Sequence, residues 1–73
     1  MKRLRIEREA RGLSRVELSR KAGMSEVTYG KVELGTMPPY PKYRAAIAEA
    51  LGWTGDPMEL FEDVEDGGRI DQH

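Results

Sequence analysis

Apolar side chains recur along this chain at three- and four-residue spacing, in short bursts closed by glycine or proline. The first burst predicts a helix over roughly Lys2 to Arg11, rich in the good helix formers Arg and Glu. Leu4 and Arg8 lie four apart on one face, and Leu4 reaches the core. Gly12 stops the helix and Leu13 turns back inward. Ser14-Arg15-Val16-Glu17 reads as a capping box, in which serine and glutamate satisfy each other's backbone N–H groups. It opens a second helix over roughly Arg15 to Lys21, with Leu18 and Ala22 one turn apart, Val16 beside them, and Ala22-Gly23 at its end. Met24 points inward and Ser25 caps a third helix, roughly Glu26 to Leu34, ended by Gly35. Tyr29 and Val32, three apart, bury together. Gly30 in mid-helix costs about 1 kcal/mol relative to alanine. The expected reason for it is close approach of another backbone.

The stretch Thr36 to Pro41, TMPPYP, reads as a stiff loop. A fourth helix follows over roughly Lys42 to Leu51, with Tyr43, Ala46, Ile47, Ala50 and Leu51 forming its apolar stripe. Gly52 ends it, and Trp53 is expected to plug the core between helices. Asp56-Pro57-Met58-Glu59 is a second clear helix start, with aspartate as cap and proline at the first helical position. The fifth helix is expected to carry Leu60, Phe61 and Val64. The expected architecture is therefore all-α, five short helices in one domain over residues 2–64, with a helix-turn-helix at about 14–34. Residues 65–73 form an acidic tail, expected to be disordered from about Gly67.

Composition narrows the function. A chain of 73 residues makes one domain at most, and one this size buries only roughly 60% of its unfolded surface. With no cysteine, and His73 as the single histidine, neither a disulfide framework nor a zinc site is expected. No apolar run approaches a membrane span, and the charged start MKRLRIERE has no signal-peptide character, so a cytoplasmic protein is expected. Nothing supports catalysis, a cofactor or a small-molecule ligand. The carboxylates cluster only in the acidic tail, without an apolar pocket to perturb them, and no phosphate-binding glycine loop is present.

The net charge of −1 hides an asymmetry. Residues 1–44 hold eleven Lys/Arg against five Glu, and residues 45–73 hold one Arg against eight Asp/Glu. A basic front and an acidic back steer a protein onto a phosphate backbone in one orientation. Charges scattered for solubility give the same count, so charge alone leaves both readings open.

The segment Ser14 to Gly35 has more to say. Two short amphipathic helices joined by the tight Ala22-Gly23-Met24 turn are the signature of a helix-turn-helix, whose second helix enters the major groove of DNA. The residues that carry it are Arg11-Gly12-Leu13-Ser14, Gly23-Met24-Ser25 and Glu33-Leu34-Gly35, with Ile47-Ala48-Glu49-Ala50-Leu51-Gly52 and Leu60-Phe61 behind them. In this order and spacing the chain resembles the Cro/C1-type, or XRE-family, regulators, over roughly Leu4 to Phe61. The resemblance implies a lambda-repressor-like fold and a structural ion pair between Arg8 and Glu33. The chain departs from the family pattern at Arg15, where glutamine is usual, at Tyr29, where a smaller aliphatic residue is usual, and at Gly30, where serine is common.

Roles follow for the outward side of the third helix. Lys31 can donate to guanine O6 or N7, or to a phosphate, and Glu26 can accept from cytosine N4. Val27 and the Thr28 methyl can touch a thymine methyl. The competing reading for each is a solvated helix side chain, and Glu26 also suits a first helical turn without any ligand. Arg15, Ser25, Thr36 and Lys42 are the expected phosphate contacts. Arg15 stands at a helix N-terminus, where the helix field disfavours a cation unless an external anion is present.

The expected function is sequence-specific binding of double-stranded DNA by a compact phage- or plasmid-type repressor, acting as a homodimer on an inverted-repeat operator. Met58 and Phe61 are the candidate dimer surface, with closure of the core as the other role open to Phe61. Two alternatives remain: a protein-interaction module such as an antitoxin or anti-repressor, and a DNA-bending excision or architectural factor.

Overall fold

The structure is a computed structural model that describes residues 1–64. The acidic tail expected at 65–73 lies outside the described residues. Four α-helices follow one another, α1 (Arg3–Ala10), α2 (Arg15–Lys21), α3 (Glu26–Leu34) and α4 (Pro41–Leu51), and a 3-10 turn spans Pro57–Phe61. None of these helices is long and apolar enough to cross a membrane.

The helix ends lie where local chemistry puts them. Arg8 and Glu9 carbonyls accept the Leu13 and Gly12 N–H groups at 3.2 and 3.0 Å, which closes α1. The same motif ends α2, where Met24 donates to the Ser19 carbonyl at 2.9 Å and Gly23 to that of Arg20 at 3.1 Å. Gly23 has φ +72°, a backbone that side chains with a Cβ rarely adopt, so the sharp bend into α3 depends on glycine. Pro41, expected in the preceding loop, instead opens α4 at a position where its missing N–H removes no helical bond.

The core is built from every element. Leu4, Leu18, Tyr29, Val32, Ile47, Ala48, Leu51, Leu60 and Phe61 are buried, and Leu13, Met24, Tyr43 and Trp53 pack against them. Ala48 is an addition to the expected stripe of α4. That helix packs against both α2 and the 3-10 turn, so it buries two sides, and Tyr43, Ala46 and Ala50 are only half-buried. Trp53 lies half-buried at the margin and donates its indole N–H to the Asp56 carbonyl at 3.0 Å.

The fifth element differs from expectation. Asp56 does cap it, accepting the Met58 N–H at 3.0 Å, but the turn is 3-10 and stops at Phe61, leaving Val64 beyond it. The cause lies at the other end of the chain. The Glu62 carbonyl accepts the Arg3 N–H at 2.9 Å, and Val64 donates to the Met1 carbonyl at 2.8 Å. Glu62 is thereby drawn into extended backbone, and helix growth ends. Phe61 is 7% exposed and closes the core, whereas Met58 is 46% exposed.

Candidate nucleic-acid interface

The α2–turn–α3 unit is fixed at each of its joints. Ser14 Oγ accepts the Glu17 N–H at 3.0 Å, and Glu17 Oε1 accepts the Ser14 N–H at 2.8 Å. The Ser14 backbone and side-chain hydrogen bonds hold the Glu17 carboxyl below its ordinary pKa. Ser25 Oγ accepts the Thr28 N–H at 3.1 Å and donates to Thr28 Oγ1 at 2.9 Å, which sets the first turn of α3. At its far end, the Lys31 carbonyl accepts N–H groups from Gly35 and Thr36 at 3.0 and 2.9 Å.

The inner face of α3 is anchored by Tyr29, Val32 and Glu33, all buried. The Glu33 carboxylate receives Arg8 Nε at 2.9 Å and Arg8 Nη2 at 3.2 Å. The remaining Arg8 donor, Nη1, reaches the Leu13 carbonyl at 2.8 Å. A third partner is one the sequence reading missed: the Tyr29 hydroxyl donates to Glu33 Oε1 at 2.7 Å. Its signal was the four-residue step from Tyr29 to Glu33, which places both on one face. Burial alone would lower the Arg8 pKa, but Glu33's hydrogen bonds and charge outweigh it and hold the guanidinium above its ordinary value. Burial, then Glu33, pushes the Tyr29 hydroxyl well above its ordinary value. No buried side-chain polar atom among the described residues lacks a partner.

The outer face of α3 is different in kind. Val27 and Leu34 are each 68% exposed, and Lys31 is exposed between them. Glu26 is exposed in the first turn, and Thr28 is half-buried at the margin with its hydroxyl engaged by Ser25. Leu34 was missed as an outward residue, although its seven-residue step from Val27 is two helical turns. Gly30 has open space where a Cβ would stand, so the expected backbone approach does not occur among the described residues.

The proposed phosphate contacts are spread around this face. Arg15 is exposed as the first residue of α2. Thr36 is exposed just beyond α3, and its hydroxyl donates to the Lys31 carbonyl at 3.3 Å. Lys42 lies on α4 with its ammonium 5.2 Å from the centre of the Tyr43 ring. Among the described residues, the ion pairs use Lys2, Arg5, Arg8 and Arg11. The four cations of the α2–turn–α3 unit, Arg15, Arg20, Lys21 and Lys31, take no part in them.

A family model described as a helix-turn-helix domain matches residues 2–61. The chain belongs to the helix-turn-helix domain family. DNA binding comes with that membership. The match takes in all four helices and the 3-10 turn of the helix-turn-helix domain. Neither a curated protein nor a solved structure gives a significant match to the chain.

Proposed function

We propose that this helix-turn-helix domain is a Cro/C1-type transcriptional regulator that binds double-stranded DNA sequence-specifically, with α3 in the major groove. The observation that carries the reading is the contrast between the two faces of α3. One face is locked by the Tyr29–Glu33–Arg8 network. The other is unpartnered, beside four cations that make no ion pair among the described residues. A rigid rod with a free face and available positive charge suits docking on a polyanion.

In this reading Lys31 donates to guanine or a phosphate, Glu26 accepts from cytosine N4, and Val27 and Thr28 meet thymine methyl groups. Arg15, Thr36, Lys42 and the backbone at Ser25 contact phosphates and set the register. The protein acts as a homodimer on an inverted repeat, with half-sites about 34 Å apart. Exposed Met58 belongs to the dimer surface, while Phe61 serves the core. The test is binding of random and selected duplexes at two salt concentrations. DNA binding is expected to weaken steeply as salt rises, because phosphate contacts release counterions. Failure of both duplexes to bind at low salt would favour a protein partner instead.

A further inference from the structure

Gly30 carries a cost with no return among the described residues. A glycine in mid-helix loses stability relative to alanine, and such a residue is kept for a positive φ or for a close neighbour. Gly30 has neither: it is not among the positive-φ glycines, and a Cβ built on it meets nothing within 4 Å. Whatever needs the bare backbone at this position lies outside the described residues. Its surroundings say what that is. Val27 stands three residues before Gly30 and Leu34 four residues after it, so the three form one row along α3, with Gly30 half-buried between two exposed side chains. A single exposed aliphatic residue needs no explanation. Two of them, each 68% exposed and flanking a glycine, make an apolar row where a solvated helix would carry polar groups. Lys31 beside the row supplies a cation facing the same side.

We infer that Val27, Gly30 and Leu34 form a strip that reads thymine C5-methyl groups, with Gly30 as the point of closest approach to the base edges. This rests on the DNA-binding reading above and adds its specificity. The thymine methyl is the one apolar group that base pairs present in the major groove. Val27 and Leu34 are separated by about 10 Å along the helix axis, the length of about three base-pair steps. Each aliphatic side chain therefore meets a different thymine. The missing Cβ at Gly30 lets α3 sink far enough for both contacts to close.

The test starts from duplex sites selected from random DNA by the full chain. Each thymine in the selected site is then replaced by deoxyuridine, which lacks only the methyl. At the two positions that face Val27 and Leu34 the replacement is expected to weaken binding about four-fold, the worth of one buried methyl group. Val27→Ala and Leu34→Ala are each expected to abolish the effect at one of those positions and leave the other. Gly30→Ala is expected to fold normally and to weaken binding by about ten-fold, as overpacking by one methyl group does. Duplex binding indifferent to deoxyuridine everywhere, or undiminished in Gly30→Ala, would overturn this inference and leave DNA binding standing. No duplex binding by the parent protein at low salt would overturn the underlying reading as well.

Discussion

The Tyr29 hydroxyl donates to Glu33 Oε1 at 2.7 Å, on the same oxygen that receives Arg8 Nε. Two of these residues belong to α3 and the third to α1. The network therefore fixes α3 against the first helix, while α2 holds it from the other side of the turn. Among the described residues no buried side-chain polar atom lacks a partner, so rotating α3 would strand buried polar groups. That is how residues pointing inward determine what the outward residues present.

Arg8→Ala should therefore be severe. It leaves a buried carboxylate with only a hydroxyl partner, which costs about 3–5 kcal/mol. For so small a domain this is a large part of the total stability. Urea denaturation followed by circular dichroism measures it, and an unchanged midpoint would contradict a structural role for the pair.

Tyr29→Phe isolates the third partner. Losing a hydrogen bond to a charged group should cost about 1.5–3 kcal/mol. The pH dependence has a definite sign. The Tyr29 pKa is raised above its ordinary value of 10.0, by burial first and by Glu33 second. The unfolded chain thus loses this proton while the folded chain keeps it. The contribution is complete below about pH 10 and declines as pH rises further. Urea midpoints above pH 10 should fall faster for the parent than for Tyr29→Phe.

Much of this architecture was legible in the sequence, for local reasons. Ser14 with Glu17, Ser25, Gly23 and Gly35 state the ends of α2 and α3 within a few residues of each end, and both helices lie over the expected residues. The last element was misjudged because its limit is not local. Asp56 and Pro57 announce a helix correctly, but the pairing of Glu62 with Arg3 decides where it stops. The contact between Arg8 and Glu33 was suggested by family resemblance, since residues so far apart in the chain have no spacing rule. Tyr29 read as a simple core residue because its ring fits that role, although its four-residue step to Glu33 on the same helix already offered its hydroxyl a partner. Gly30 was expected to admit a neighbouring backbone, and the described residues put none there.

Gly30→Ala should raise stability. The helix propensity gain is about 1 kcal/mol, and the added methyl meets open space. In a domain of this size that corresponds to a Tm increase of about 4–8 °C. Differential scanning calorimetry checks it. A lower Tm would show that the glycine serves the fold.

Arg15→Ala and Lys31→Ala should differ in kind. Loss of Arg15, read as a phosphate contact, should weaken all duplexes alike and reduce the salt slope by about 1. Loss of Lys31, read as a base contact, should relax preference at one or two base pairs, at about 1–3 kcal/mol. Titrations of selected and scrambled duplexes at several salt concentrations separate the two, and reversed outcomes would exchange the roles.

The most direct measurement is an NMR titration of the full chain with duplex DNA, following backbone amides. The largest shifts are predicted at Arg15 and along Val27, Gly30, Lys31 and Leu34. Shifts concentrated on the acidic half of the chain, with those of α3 unmoved, would contradict the assignment of that helix as the DNA-reading element.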